Sequence, residues 1–187
     1  MVRSPTELLT LDEFLVLPEG NTAYELVDGQ AVPKMSPKFF HSSAQKNLLL
    51  ILERWSYERG RVEPEWAVTL KQNGNDWVPV PDLLYISYNH LAAEWMEDAP
   101  CPVAPELAIE IISPGQSFGE MTEKATDYLM AGVLRVWVVD TKAQSITVFA
   151  PDALPKTYRG SIAIADPLLP DLNLTALQVF QKTSQIV

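Results

Sequence analysis

Glu106-Leu107-Ala108-Ile109-Glu110-Ile111-Ile112-Ser113-Pro114 is the stretch on which the fold of this chain turns. Leu107 to Ile112 is apolar, rich in β-branched residues and too short for a helix, which predicts a strand buried on both faces. Glu110 stands in its middle. An ionised carboxylate there costs several kcal/mol unless a metal, a cation or hydrogen bonds offset the lost hydration. Glu110 is therefore the residue that needs a partner.

Working outward, Met121, Ala125 and Leu129 recur at spacing four, with Glu120, Lys124 and Tyr128 on another face, which predicts an amphipathic helix stopped at Gly132. The apolar run Val136 to Val139 follows. Lys124 lies fourteen residues after Glu110, so a strand, a turn and a helix can return its ammonium to the carboxylate. Upstream, Pro81-Asp82 opens the apolar run Leu83-Leu84-Tyr85-Ile86. An acid at the start of one strand, an acid inside the next and a lysine form one constellation.

With Tyr24-Glu25-Leu26-Val27-Asp28-Gly29, His41, Pro81-Asp82, Glu110-Ile111-Ile112-Ser113-Pro114, Lys124, Tyr128 and Gly132-Val133 through Trp137-Val138-Val139-Asp140, the chain resembles the putative restriction endonuclease family over roughly Leu8 to Asp140. These are bacterial proteins with the PD-(D/E)xK nuclease fold. The resemblance implies an α/β, restriction-endonuclease-like fold with a central mixed β-sheet flanked by helices. In the usual motif a lysine follows the second acid by two residues, but Ile112 occupies that position here. The resemblance suggests that Lys124 takes over the role, with Glu120 orienting it from one helical turn away.

Two carboxylates, waters and a substrate phosphate suit a magnesium or manganese ion, and Asp82 and Glu110 are the candidates. Such an ion would acidify a water for attack on phosphorus, while Lys124 orients the water or stabilises the transition state. The resemblance implies that an inward-facing Glu25 binds or positions a metal. His41 is a candidate for phosphate contact or proton transfer. Taken alone, each residue has a plainer reading. Glu25 would face solvent, Asp82 would form a Pro-Asp turn, Glu110 and Lys124 would be a structural ion pair, and His41 would be a capping or loop residue. Tyr128 reads as packing rather than chemistry.

The net charge of -10 over 187 residues counts against a general polyanion binder. Its distribution is uneven: Lys34 to Arg61 carries +4, against -5 before it and -9 after it. One segment can therefore face an anion. Cys101, the single cysteine, stands between two prolines and reads as an inert loop thiol. The N-terminus lacks a basic start followed by an apolar segment, and no apolar run is long enough to span a membrane. The expectation is a cytoplasmic protein in which residues 1–187 form a single domain.

In chain order, Thr10 and Glu13 form a capping box before a short helix to about Leu17. Ala23 to Val27 and Gln30 to Met35 flank Asp28-Gly29 as a hairpin, which puts Glu25 on a strand. Ser42 or Ser43 is expected to cap the longest helix, carrying Leu48, Ile51, Leu52 and Trp55 and ending near Gly60. Val62, Pro64, Trp66, Val68 and Leu70 alternate with charged or polar neighbours, as an edge or half-exposed strand would. After the Asn73-Gly74 turn, a strand with Val78 and Val80 is expected to deliver Asp82. Asn89 to Pro105 reads as a short helix and loop, with Trp95 and Met96 as its contacts. Ser145 to Phe149 should pair antiparallel with Val136 to Val139. Ile162 to Ile164 suggests a strand, Pro167 to Pro170 a turn, and Thr175 to Phe180 a terminal helix.

The function expected is metal-dependent hydrolysis of nucleic-acid phosphodiester bonds, with DNA preferred. A homodimer is compatible with cutting two strands. The competing class is an inactive nuclease-fold module that binds protein or nucleic acid, which the negative charge favours. A two-carboxylate sugar hydrolase ranks last, because it has no need of Lys124.

Overall fold

The computed structural model describes residues 8–18 and 22–181. Its centre is a six-stranded sheet of β3 (Gly60–Pro64), β6 (Leu83–Ser87), β7 (Leu107–Ile111), β8 (Arg135–Asp140), β9 (Ser145–Ala150) and β10 (Ala153–Arg159). The spatial order is β10-β9-β8-β7-β6-β3, and only β7 and β8 run parallel. A parallel pair requires a crossover, supplied by α3 (Phe118–Met130). Two hairpins, β1–β2 (Tyr24–Val27 and Gln30–Pro33) and β4–β5 (Leu70–Gln72 and Asn75–Trp77), meet through a bridge from Leu26 to Val78. The other helices are α1 (Leu11–Leu15), α2 (Phe39–Ser56) and α4 (Ala176–Phe180).

All of β7 is buried, and its alternation sends side chains into two cores. Leu107, Ile109 and Ile111 pack with Leu48 and Leu52 of α2 and Val179 of α4. Ala108 faces the opposite side, with Met121, Ala125 and Tyr128 of α3 and Trp77 of β5. Glu110 shares the Ala108 parity, so the strand's period of two aims it at α3. The register pairs Leu83 with Ile109, and continuing it by one residue brings Asp82 opposite Glu110. Glu106, at the opposite end of β7, is held by the N–H and hydroxyl of Ser87.

The hairpin turn forms at Asp28 and Gly29, both at positive φ (47° and 73°). Thr10 and Ser117 start α1 and α3 with capping boxes closed by Glu13 and Glu120. Several local expectations are corrected. The cap of α2 is Lys38, without a side-chain bond, rather than Ser42 or Ser43, so His41 lies inside the first helical turn; the helix ends at Ser56. Glu65, at φ 53°, breaks the alternating run after Pro64, leaving β3 and β4 as separate strands. Beyond β5, Val78 makes only a bridge, and Asp82 precedes β6 instead of ending a strand paired with its predecessor. Residues 89–105 contain no helix. They are pinned by Arg61, which donates to the carbonyls of Ala92, Ala93 and Trp95, and Trp66 packs on Trp95 while Met96 is exposed. Strand β10 was not evident from Ala153-Leu154-Pro155-Lys156, whose exposed side chains lack an alternating apolar pattern, whereas Ala163 makes only an isolated bridge.

Candidate active site

Five elements deliver polar side chains to one end of the sheet: Glu25 from β1, His41 from the first turn of α2, Asp82 at the entry to β6, Glu110 from β7 and Lys124 from α3. Asp82 and Glu110 are only 2% and 5% exposed. Buried charges need close compensation. Asp82 Oδ2 accepts from the Ile111 N–H at 2.6 Å and lies 3.1 Å from His41 Nε2. Because a carboxylate only accepts, Nε2 carries a proton, and His41 Nδ1 is buried without a hydrogen-bond partner among the described residues.

Lys124 Nζ reaches Glu25 Oε1 at 2.8 Å and Glu110 Oε1 at 3.0 Å. Glu25 Oε1 also accepts the Val80 N–H at 2.9 Å. Thus Glu25 faces the cluster, not solvent, because the Leu26–Val78 bridge fixes the hairpin against the segment leading to Asp82. Tyr128, fully buried against Trp77, donates its hydroxyl to Glu110 Oε1 at 2.7 Å. It packs and takes part in the polar site. Glu120 does not orient Lys124; its carboxylate caps Ser117 and is solvent-exposed.

Burial pushes the Glu110 carboxyl up to about 7, opposed by Lys124 and reinforced by Asp82 and Glu25. Burial works against the Asp82 carboxylate as well, but His41 and Lys34 prevail and hold its pKa below the usual value. Burial disfavours the Lys124 ammonium, yet Glu110 and Glu25 outweigh it and raise the pKa. At neutral pH the cluster thus combines a charged aspartate, a charged lysine and a glutamate near its midpoint.

Three neighbours were not singled out from sequence as site residues. Lys34 Nζ lies 2.8 Å from Asp82 Oδ1 and 2.5 Å from Glu65 Oε2. Gln45 donates to Glu65 Oε1 and the Asp82 carbonyl. The available signals were the place of Lys34 at the start of the basic segment and its position directly after a hairpin strand, seven residues before His41. Of the six bases between Lys34 and Arg61, Lys38, Lys46 and Arg54 are exposed, whereas Arg59 and Arg61 bind backbone carbonyls.

No group of three or more His, Cys, Asp or Glu side chains among the described residues is placed to hold a metal. The donor chemistry nevertheless fits a hard divalent ion of the magnesium type, which takes one or two carboxylates and completes its shell with water and substrate phosphate. Glu110 Oε2 receives no hydrogen bond from the described residues, and the mutual repulsion of Asp82, Glu25 and Glu110 marks a place where positive charge is favourable.

A mixed sheet with two acids at one end and a lysine on the crossover helix defines a restriction-endonuclease-like protein. The chain belongs to the Uma2 family, described as Putative restriction endonuclease, whose model matches residues 11–177. It is also similar to the crystal structure of a putative nuclease from Anabaena variabilis ATCC 29413, with 26% identity and a TM-score of 0.79, covering 92% of this chain and 97% of that chain. No curated protein matches significantly. No helix among the described residues is long and apolar enough to cross a membrane.

Proposed function

We propose that the protein is a magnesium- or manganese-dependent nuclease that hydrolyses nucleic-acid phosphodiester bonds, with DNA the preferred substrate. The observation that carries this reading is the convergence of Asp82, Glu110 and Lys124 at one sheet end. The family and the putative nuclease from Anabaena variabilis support the same class of chemistry.

Asp82 and Glu110 would hold the metal. When bound, such an ion makes a water nucleophilic near neutral pH and neutralises charge on the phosphate oxygens. Ile111 N–H and His41 fix Asp82 Oδ2, while Tyr128 fixes Glu110 Oε1, so the two carboxylates are held without relying on substrate. Lys124, kept protonated by Glu25 and Glu110, supplies a fixed positive charge for orienting water or stabilising developing negative charge. Glu25 serves in this scheme by holding Lys124. The exposed Lys38, Lys46 and Arg54 suit phosphate contacts outside the reacting centre.

The test is calorimetric titration of manganese into the native protein, Asp82→Asn and Glu110→Gln, followed by incubation with DNA and RNA. Native binding that both substitutions abolish, with metal-dependent cleavage of nucleic acid, is expected. If the native protein fails to bind manganese with and without nucleic acid, the inactive binding module takes precedence. The lysines already covering both acids are the structural feature that favours that second reading.

A further inference from the structure

The two central acids share an unusual arrangement: each is covered by an ammonium that also holds a second carboxylate. Lys34 joins Asp82 to Glu65, and Lys124 joins Glu110 to Glu25. The Asp82 side is the more revealing. Its Oδ2 is engaged by Ile111 N–H and His41, whereas among the described residues Oδ1 is hydrogen-bonded by Lys34 alone. The oxygen with fewer hydrogen bonds among the described residues is therefore the one already bound to a cation.

We propose that Lys34 is a built-in competitor for the divalent ion at Asp82, neutralising the aspartate in the metal-free protein and moving wholly onto Glu65 when the ion binds. This rests on the assignment of Asp82 and Glu110 as the metal pair.

Several features build the receiving place. Gln45 Nε2 donates to Glu65 Oε1 at 3.0 Å and to the Asp82 carbonyl at 2.8 Å, tying Glu65 beside the aspartate. Glu65 lies directly after β3, at φ 53°, where the backbone leaves the sheet and its N–H points to the Asp82 carbonyl. Lys34 already reaches Glu65 Oε2 at 2.5 Å, so release of Asp82 requires a small swing of a flexible stem without a search for a new partner. Its backbone stays anchored, because the Lys34 N–H donates to the Ala23 carbonyl at the hairpin end. The Glu65 side chain is 42% exposed and that of Asp82 is 3% exposed, so transfer moves the ammonium towards water as the metal takes over the buried carboxylate.

Two opposite effects follow from one exchange. Removing the ammonium should strengthen metal binding, and weakening its alternative acceptor should reduce it. Manganese would be titrated calorimetrically into native protein, Lys34→Met, Glu65→Gln and Glu110→Gln near neutral pH, with circular dichroism to verify folding. The competitor role predicts that Lys34→Met lowers Kd by about tenfold and Glu65→Gln raises it by roughly threefold, while Glu110→Gln loses binding. Lys34→Met should also show a larger metal-induced rise in Tm than native protein. If native and Lys34→Met have equal Kd while Glu110→Gln loses binding, the competitor role is wrong and the metal pair stands. Absence of binding in every folded protein overturns both. Should Lys34→Met fail to fold, Lys34→Arg provides the alternative: a planar fork retained on Asp82 should weaken manganese binding, and unchanged affinity overturns the proposal.

Discussion

The Tyr128 hydroxyl donates to Glu110 Oε1 across 2.7 Å, linking the interior face of α3 to the middle of β7. Both groups are buried, so neither can exchange this bond for water. Tyr128→Phe keeps the ring against Trp77 and removes only the donor. The expected loss is about 1.5–3 kcal/mol, the range for a hydrogen bond to a charged group. The Glu110 titration should also move further upward, since the lost donor favoured its ionised form. Urea denaturation would read the first effect, and carboxylate infrared absorption against pH the second. Unaltered values of both would remove Tyr128 from the polar site.

Glu110 also predicts a direction for stability against pH. Its carboxyl titrates at about 7 in the folded protein instead of the ordinary 4.5. Between those values the unfolded chain has released a proton that the folded chain retains. This contribution is fully present below the unfolded value and is lost as pH rises through about 7, a change on the order of 3 kcal/mol. Asp82, whose pKa is lowered, acts in the opposite sense and in a more acidic window. Glu110→Gln should therefore reduce the loss of metal-free stability between pH 5 and pH 8, measured by urea denaturation. An equal loss in native and variant protein would contradict the buried, titrating carboxyl.

Lys124 holds two carboxylates at once. Lys124→Met leaves Glu25 and Glu110 facing each other without their shared ammonium, and destabilisation of about 3 kcal/mol is expected at pH 8. At pH 5 the loss should be smaller, because Glu110 can take up a proton. Denaturation at both values tests the difference, and pH-independent destabilisation would point to lost packing alone.

Gly60 is required by a close approach between strands. A Cβ there would lie 2.3 Å from the Ile86 carbonyl oxygen and 2.7 Å from Tyr85 Cε2. Gly60→Ala must push β3 away from β6, and a loss of about 1–3 kcal/mol is expected. A lowered Tm would show it. A native Tm would mean that the strands separate there without penalty.

The parts of the structure legible in sequence are those governed by nearby residues. The Thr10 to Glu13 capping box, the Asp28-Gly29 turn and the unbroken apolar run around Glu110 each express a local preference. The family resemblance added the connection among Glu25, His41, Asp82, Glu110 and Lys124, and the fold brings these residues to the same sheet end. Spacing alone placed Lys124 near Glu110. The resemblance also suggested that Glu120 orients Lys124, but capping competes locally for Glu120 and two buried carboxylates attract Lys124 more strongly.

Other features depended on which surfaces meet. Glu25 turns inward because the Leu26–Val78 bridge sets its hairpin against the chain that leads to Asp82. Lys34 and Glu65 are separated by thirty-one residues, and only the packing of the hairpin beside β3 places them on either side of one ammonium bond. Strand β10 has mostly exposed side chains, so its pairing with β9 is selected by backbone hydrogen bonding and the available sheet edge. The sequence by itself determined the buried acid, the local turns and the crossover helix, because those follow from short-range sterics and periodic burial. Tertiary structure decided which oxygen meets which ammonium, because charge compensation inside a protein depends on distances between segments that the chain order does not specify.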